Sequence, residues 1–219
     1  VTGAGRGIGA TVARYLAEAG AEVVLLSRTL SELQTVAQQI TEAGGRASIR
    51  QCDVIDAKAL RAIIDELPRL DILVNNAGIA LGKQFEDTTD EEFDRIMAVN
   101  VRSVFRTSRA AVPALKARGA GRIINLGSIM SGTGGPLLAA YGCSKHAVAG
   151  LSKGMACDLG QYGITVNYLQ PGSIWTGMSK PFMADAGFRE YWETKAPMGR
   201  IGDPQDVAVA ALFLASEIG

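Results

Sequence analysis

Short apolar runs alternate with longer amphipathic segments along this chain, and the alternation limits the possible folds more than any other feature. The run from Ala21 to Ser27 is almost continuously apolar, which is typical of a parallel strand buried on both faces. Further strands are predicted at Arg46–Gln51, Leu70–Val74, Arg122–Ser128 and Ile164–Leu169. Helices are predicted between them, at Ser31–Ala43, Ala57–Leu67, Thr89–Arg118 and around Tyr141. This order predicts an α/β fold with a parallel sheet covered by helices on both faces.

The chain opens on a glycine-rich turn, Thr2-Gly-Ala-Gly-Arg-Gly-Ile-Gly9. Glycines let a backbone turn tightly against a phosphate, and the N-terminus of the following helix offers free N–H groups and a partial positive charge. The common dinucleotide fingerprint G-x-G-x-x-G does not fit, because its last position falls on Ile8 when it begins at Gly3. The pattern Thr-Gly-x-x-x-Gly-x-Gly does fit, and it predicts a phosphate-binding turn; a glycine loop without a ligand is the alternative.

The end of the Ala21–Ser27 strand bears on cofactor choice. An acidic residue often closes this strand in NAD-binding units and binds the ribose 2′-hydroxyl. Here the strand ends in Ser27 and is followed by Arg28, whose guanidinium attracts a 2′-phosphate. Arg6 in the glycine turn adds a second positive charge. The pattern favours NADPH over NADH, although each arginine could instead be a solvated surface charge.

A tyrosine and a lysine four residues apart, Tyr141 and Lys145, share one face of a predicted helix. An ammonium near a phenol favours the phenolate and lowers the pKa of the phenol, so Tyr141 could exchange a proton with a substrate oxygen. Ser128, at the end of a predicted strand, could hold that oxygen. Taken alone the Tyr-x-x-x-Lys spacing is weak, since an exposed helical pair explains it equally well.

Composition and charge exclude several function classes. Basic and acidic residues balance at 22 each, and no block of like charge occurs, so nothing favours a nucleic-acid partner. No apolar run reaches the length of a membrane span. Cys52, Cys143 and Cys157 are scattered without metal-ligand spacing, which predicts free thiols in the cytoplasm. The single histidine, His146, cannot build a metal site or a Ser-His-Asp triad alone, and we expect it to pack near the site.

The stretch 173–198 differs from the rest of the chain because it is rich in aromatic residues and methionine. It follows the carboxyl end of a strand, where ligands bind in open α/β sheets, and we predict a lid over the substrate. A surface helical hairpin is the alternative. Without a linker or an internal repeat, residues 1–219 are predicted to form one domain. The start at Val1 and the end at Gly219 predict a truncated first strand and a missing last strand.

The assembled motifs resemble those of the short-chain dehydrogenase/reductase family, over nearly the whole chain and in the expected order. The matching motifs are Thr2-Gly-x-x-x-Gly-x-Gly9, Asp53-Val54, Asn75-Asn-Ala-Gly78, Asn100, Ser128, Tyr141-x-x-x-Lys145 and Pro171-Gly172. The resemblance implies a Rossmann-type doubly wound sheet and a homo-tetramer, or a dimer, with no metal. The segment Gly199–Pro204 resembles the branch that includes 3-oxoacyl-carrier-protein reductases and glucose or gluconate dehydrogenases.

The resemblance also implies roles for individual residues. Tyr141 corresponds to the general acid or base, and Lys145 to the lysine that binds the nicotinamide ribose and lowers the pKa of the tyrosine. Ser128 corresponds to the serine that orients the substrate oxygen, and Asn100 to the asparagine that holds a water of a proton relay. Asn75 corresponds to a residue that ties strands together. The remaining cofactor-binding positions are Gly3, Arg6, Gly7, Ile8, Gly9, Ser27, Arg28, Asp53, Val54, Asn76, Ala77, Gly78, Pro171, Gly172, Ile174 and Thr176.

The sequence therefore predicts an NADPH-dependent reductase that converts a ketone or oxoacyl carbonyl of a small molecule to an alcohol, reversibly. An NAD-dependent alcohol or sugar dehydrogenase is one alternative, and a nucleotide-binding protein without turnover is another. An acyl-carrier partner would favour basic residues near the site mouth, for which Arg102, Arg106 and Arg109 are candidates.

Overall fold

A computed structural model describes residues 1–219, and it alternates strands and helices as the apolar runs predict. The elements, in chain order, are α1 (Gly7–Glu18), β1 (Glu22–Ser27), α2 (Leu30–Glu42), β2 (Arg46–Gln51), α3 (Ala57–Asp65), β3 (Ile72–Asn75), α4 (Asp90–Met97), α5 (Ser103–Arg118), β4 (Gly121–Leu126), α6 (Ala139–Leu159), β5 (Ile164–Leu169), α7 (Lys180–Met183), α8 (Ala186–Lys195) and α9 (Pro204–Ala215).

The strands are all parallel and form two hydrogen-bonded groups, β1–β2 and β3–β4–β5. Residues at the start of the chain join the two groups. The amide of Leu26 in β1 donates to the carbonyl of Val1 at 3.0 Å, and the amide of Thr2 donates to the carbonyl of Val74 in β3 at 3.0 Å. Val1 and Thr2 therefore occupy the central position of the sheet, where the first strand was expected, and the order is β2-β1-(Val1–Thr2)-β3-β4-β5.

Helices pack on both faces of this sheet, which confirms the predicted doubly wound architecture. On one face, α1, α2 and α9 bury Val12, Leu33 and Ala208 against β1 and β4. On the other face, α5 and α6 bury Leu115 and Leu159 against β3, β4 and β5. Complete burial of a side chain such as Leu33 stabilises the fold by about 1.5–3 kcal/mol. The sheet is thus held from both sides, and its carboxyl edge is left for a site.

Capping residues account for several helix boundaries. The Asp56 side chain accepts hydrogen bonds from two amides at the start of α3, and Thr89 and Glu92 form a capping box at the start of α4. Helix α5 ends at Arg118 and is followed by Gly119, whose φ of 66° suits a glycine. No helix has both the length and the apolar character that crossing a bilayer requires.

One predicted helix is interrupted. The stretch Thr89–Arg118 was expected to be one long helix, but a π-helical turn at Ala98–Arg102 separates α4 from α5. Asn100 lies in this turn, where its side chain bonds to backbone and side-chain groups of other elements instead of facing solvent. Such π turns occur frequently at functional sites.

Candidate active site

A cavity of about 340 Å³ lies at the carboxyl edge of the sheet, where β1, β3, β4 and β5 end. Ligands bind at this edge in open α/β sheets. All predicted site residues line the cavity except Gly9 and Asn100, which lie behind its wall. The residues on the wall are Gly3, Arg6, Gly7, Ile8, Ser27, Arg28, Asp53, Val54, Asn76, Ala77, Gly78, Ser128, Tyr141, Lys145, Pro171, Gly172, Ile174 and Thr176.

The glycine turn is packed so closely that side chains are excluded. A Cβ on Gly3, whose φ is 65°, would lie 2.9 Å from the Cα of Ala77, and a Cβ on Gly9 would collide with the amide of Asn76. The Asn76 side chain donates to the carbonyls of Thr2 and Gly3, both at 3.1 Å. Gly9 is therefore needed for packing, and the wall itself is formed by Gly3, Gly7 and Ile8.

The start of α1 fits a phosphate group. Its N-cap residue, Arg6, makes no side-chain hydrogen bond to the first turn, so the amides of that turn lack a cap. Gly5, Gly7 and Ile8 line the cavity at this point. Free amides and the partial positive charge of the helix N-terminus attract an anion, so the residues present suit the diphosphate of a dinucleotide.

Two ion pairs lie at the end of the cavity near β1. The Arg6 guanidinium is 3.3 Å from Glu32, and the Arg28 guanidinium is 3.8 Å from Asp53. Both arginines line the cavity as predicted, but each faces a carboxylate. Glu32 was missed by the sequence analysis. Its position in the first turn of α2, directly after the Ser27-Arg28 strand end, was a signal that could have indicated it.

Ser128, Tyr141 and Lys145 meet on the opposite wall. Ser128 precedes a short 3₁₀ turn, and its Oγ accepts a hydrogen bond from the amide of Met130 at 3.2 Å. Lys145 lies one helical turn after Tyr141 on α6, and its Nζ donates to the carbonyl of Leu126 at 2.7 Å. Leu126 is the last residue of β4, and Ser128 follows it by two residues. The packing of α6 against this strand end therefore brings the three side chains together.

The pKa of Tyr141 shifts upward, and the sequence-based expectation was a downward shift caused by Lys145. Burial raises the pKa of the Tyr141 phenol, and the neighbouring Ser128 hydroxyl partly offsets that rise. Lys145 was expected to lower it, but its Nζ lies 5.7 Å from the centre of the tyrosine ring and bonds to Leu126. Burial also lowers the pKa of Lys145 to about 8. In this arrangement desolvation determines both directions, because it disfavours the charged form of each group.

Asn100 supports the catalytic wall from behind. Its Oδ1 accepts from the amide of Ile79 at 2.8 Å, and its Nδ2 donates to the carbonyl of Ile79 at 2.9 Å and to Ser144 Oγ at 3.0 Å. A Cβ on Gly78 would be 3.4 Å from Asn100 Oδ1 and 3.7 Å from Lys145 Nζ. Asn100 therefore joins the loop after β3 to α6 immediately beside the lysine.

Asn75 ties neighbouring elements together, as the resemblance implied. Its Nδ2 donates to Asn125 Oδ1 of β4 at 2.8 Å and to Ser108 Oγ of α5 at 3.0 Å. Asn125 in turn donates to Ser152 Oγ of α6 at 2.8 Å. This buried chain of amides and hydroxyls fixes α5 and α6 on the sheet, and so fixes the helix that carries Tyr141.

The 173–198 segment contributes an apolar wall. Phe182, Phe188 and Trp192 line the cavity. The ring centres of Phe182 and Phe188 are 5.9 Å apart, and those of Phe188 and Trp192 are 6.1 Å apart. Trp175 and Tyr191 belong to the same aromatic-rich segment but do not line the cavity. From other elements, Met130 and Leu138 face the same space and were missed by the sequence analysis.

Several other candidates lie away from the cavity. Arg106 donates to the carbonyl of Ile55, and Arg109 lies over the ring of Phe105, while Arg102 is exposed. His146 is exposed on α6, where its Nδ1 is 2.9 Å from the carbonyl of Gly142, so the expectation that it packs near the site is wrong. None of these four residues lines the site.

Comparison with known proteins gives consistent matches over the whole chain. A family model described as enoyl-(acyl carrier protein) reductase matches residues 3–218. Gluconate 5-dehydrogenase of Gluconobacter oxydans is 38% identical over 99% of this chain and 86% of its own length. The 3-oxoacyl-[acyl-carrier-protein] reductase of Vibrio cholerae is also 38% identical, over 99% of this chain and 88% of its own.

Solved structures agree with the fold. A gluconate 5-dehydrogenase from Burkholderia cenocepacia, in complex with NADP and tartrate, superposes with a TM-score of 0.94 at 38% identity, covering 98% of this chain and 86% of that one. A variant actinorhodin polyketide ketoreductase with NADPH gives a TM-score of 0.93 at 31% identity, covering 99% and 89%. Both proteins bind a nicotinamide dinucleotide phosphate.

Proposed function

Since the chain belongs to the short-chain dehydrogenase/reductase family and is an oxidoreductase, we propose that it reduces a ketone or oxoacyl carbonyl to an alcohol, reversibly, with NADPH. The observation that supports this most is the meeting of Ser128, Tyr141 and Lys145 on one wall of the cavity, opposite the glycine turn. The names of the relatives, which include both reductases and dehydrogenases, fit either direction of the reaction.

Tyr141 acts as the proton donor during reduction. When bound, the nicotinamide supplies the hydride. The Tyr141 hydroxyl donates its proton to the carbonyl oxygen as that oxygen gains negative charge. Ser128 donates a second hydrogen bond to the same oxygen, because its Oγ accepts from Met130 and its own proton, which interacts with the Tyr141 hydroxyl, can turn to the substrate. Burial raises the pKa of Tyr141, so the phenol is protonated at neutral pH and holds the proton that reduction requires.

Lys145 and Asn100 position the reacting groups. With a pKa of about 8, Lys145 is mostly charged at pH 7. One of its three protons goes to Leu126, and the others are available for hydroxyl groups of the nicotinamide ribose. Asn100 holds the backbone of Ile79 and the Ser144 hydroxyl, and so fixes the spacing between the loop after β3 and α6. Asn100 is therefore a positioning residue in this proposal.

The preference for NADPH depends on Arg6 and Arg28. Both guanidiniums line the cavity next to the end of β1, and Ser27 stands where an acid would repel a 2′-phosphate. Each guanidinium also faces a carboxylate, so a 2′-phosphate would have to compete with Glu32 for Arg6. The segment 173–198 forms a lid in the same proposal, closing over the substrate next to the nicotinamide end.

Replacing Tyr141 by phenylalanine tests the mechanism. Loss of the proposed general acid should lower kcat by about 10²–10⁴-fold, while the dissociation constant for NADPH changes little. The matched control is Tyr162→Phe, since Tyr162 is an exposed tyrosine that lies against Lys116 and outside the cavity. Turnover of the Tyr141→Phe variant at the parent rate would contradict the proposed mechanism.

Substitutions at the two ion pairs test the cofactor preference. Arg28→Asp should lower kcat/KM with NADPH by about tenfold or more and leave NADH less affected, because a charged hydrogen bond is worth about 1.5–3 kcal/mol. Glu32→Gln should raise affinity for NADPH a few-fold, by about 0.2–1 kcal/mol, since it frees Arg6 from an exposed ion pair. Equal effects of both substitutions on NADH and NADPH would exclude this preference. The measurement is kcat/KM with each cofactor.

We also propose a cytoplasmic homo-tetramer. The three cysteines are free, which suits a reducing compartment. Phe93 on α4 and Phe105 on α5 remain exposed, at 38% and 45%, on helices that a tetramer would cover. Light scattering at micromolar concentration tests the assembly, and a monomer would contradict it.

A further inference from the structure

Charge is distributed unevenly along the cavity. Five charged side chains line it: Arg6, Arg28, Glu32, Asp53 and Lys145. The first four belong to the glycine turn, to α2 and to the segments that follow β1 and β2, at the end where the proposed function places the 2′-phosphate of NADPH. Lys145 donates one proton to Leu126, and the proposed function assigns its other two protons to the nicotinamide ribose. No cationic side chain therefore remains for an anionic substrate on the side beyond Tyr141.

The wall beyond Tyr141 is apolar instead. Phe188 and Trp192 are four residues apart on one face of α8, and both line the cavity together with Phe182 and Met183 from α7. Phe182 lies against Gly82, where an added Cβ would come within 2.8 Å of its ring. These rings form a continuous surface, because neighbouring centres are 5.9 Å and 6.1 Å apart.

The charged residues of the same segment point elsewhere. None of its six charged residues lines the cavity: Lys180, Asp185, Arg189, Glu190 and Lys195 are exposed, and Glu193 is half-buried. The hydroxyl of Ser179, which does line it, donates to the carbonyl of Ile174 at 2.6 Å. The segment thus offers a ligand little hydrogen-bonding capacity and much apolar surface.

We infer that the substrate is a neutral ketone carrying an apolar group about the size of an aryl ring, and not a sugar acid. This inference rests on the proposed carbonyl reduction. A buried carboxylate without a cationic partner is strongly disfavoured, and each buried hydroxyl without a partner costs about 1–3 kcal/mol. The conclusion separates this chain from relatives named gluconate 5-dehydrogenase, although their sequences are 38% identical to it.

A matched pair of ketones provides the test. Methyl 4-oxo-4-phenylbutanoate and its free acid carry the same ketone and differ in charge at the far end. With the parent enzyme and NADPH, kcat/KM for the ester should exceed that for the acid by at least about tenfold, because a pocket discriminates by 10–200-fold for much smaller changes. The keto acid 5-ketogluconate should react more slowly than both. Equal use of ester and acid, or preference for 5-ketogluconate, would overturn the inference.

Charge substitutions on α8 sharpen the test. Phe188→Arg places a cation on the cavity wall and should lower the ester-to-acid ratio at least tenfold. Tyr191→Arg is the matched control, because Tyr191 is exposed and does not line the cavity, and its ratio should stay at the parent value. The dissociation constant for NADPH should be unchanged in both, which excludes misfolding. An equal change of the ester-to-acid ratio in both variants would contradict the inference that Phe188 contacts the substrate.

Binding decides the question when turnover is slow with every compound. In a Trp175→Phe background, quenching of Trp192 fluorescence should show the ester binding at least tenfold more tightly than the acid to the NADP⁺ complex. Acid binding as tight as ester binding counts against the inference. The proposed function fails by a different result, namely turnover that survives Tyr141→Phe, so the two failures are distinguishable.

Discussion

The two walls of the cavity beyond the glycine turn are built in opposite ways. On the catalytic wall, the side chains of Ser128 and Lys145, like that of Asn100 directly behind it, are less than one-tenth exposed, and each makes hydrogen bonds inside the protein. In the 173–198 segment only Met183 is buried. The main contacts within this segment are between aromatic rings, and its side-chain hydrogen bonds lie mostly in the turn around Ser179.

The two walls therefore serve different purposes: the catalytic wall carries out proton transfer, and the 173–198 segment selects the substrate. Proton transfer needs donors held within tenths of an ångström, and a buried polar network supplies that because every unpaired member is costly. Recognition of an apolar group needs area more than direction, and a surface segment of packed rings supplies that. Changes on the catalytic wall should therefore affect stability and kcat, and changes in the 173–198 segment should affect mainly KM.

Asn100→Ala should have the largest effect on stability, because it removes the support behind the catalytic wall. The substitution removes three hydrogen bonds and leaves buried partners unpaired, which should cost roughly 3 kcal/mol of unfolding free energy. For a chain of this size the melting temperature should fall by roughly 6–12 °C. Asn167→Ala is the control, since the side chain of Asn167 makes none of these bonds. Equal melting temperatures for both variants would contradict the role of Asn100.

Lys145→Met should change the pH dependence of stability. Between pH 8 and 10.5 the unfolded chain binds the lysine proton and the native protein does not, so the parent gains stability as pH rises through this window. The gain is about 3 kcal/mol for a shift of this size. Relative to the parent, the methionine variant should therefore be more stable at pH 7 than at pH 10 by up to that amount.

Urea denaturation at both pH values measures this effect. The variant also loses the bond to Leu126, at a cost of about 1–3 kcal/mol that does not depend on pH. Lys180→Met, in the exposed part of the 173–198 segment, should change stability by less than about 0.5 kcal/mol at either pH. A stability difference for Lys145→Met that is the same at both pH values would be inconsistent with a buried ammonium.

Gly82→Ala should have the smallest effect, and it should fall on KM. The new Cβ would lie 2.8 Å from Phe182, whose ring must rotate at a cost of about 0.5–1 kcal/mol, or roughly two- to fivefold in KM for the ester. Gly134→Ala, with no atom within 4 Å of the added Cβ, is the control. If Gly82→Ala lowered kcat at constant KM, the division between the two walls would not hold.

The sequence predicted most of the fold, and all predicted site residues except Gly9 and Asn100 line the cavity. The strands at Arg46–Gln51 and Ile164–Leu169 were predicted at their observed bounds. The pattern of Ile164–Leu169 is visible locally because its apolar residues alternate with polar ones, and the start of Arg46–Gln51, none of whose residues is fully buried, is marked by the preceding Gly44-Gly45. The sequence did not predict the π turn at Asn100, since the bonds that hold it come from Ile79 and Ser144. It also missed Glu32, which matters only because α2 packs beside the glycine turn.

What the sequence by itself determined is what local spacing controls: the alternation of strands and helices, the glycine turn, and the shared face of Tyr141 and Lys145. Only the tertiary structure decided the distances between elements. It placed Lys145 Nζ within hydrogen-bond distance of Leu126 and 5.7 Å from the centre of the Tyr141 ring, and it raised the pKa of Tyr141 by burial. It also turned Phe188 and Trp192 inward and left Tyr191 outside. Electrostatics and apolar contacts depend on distances through space, and those distances are established only when the helices pack on the sheet.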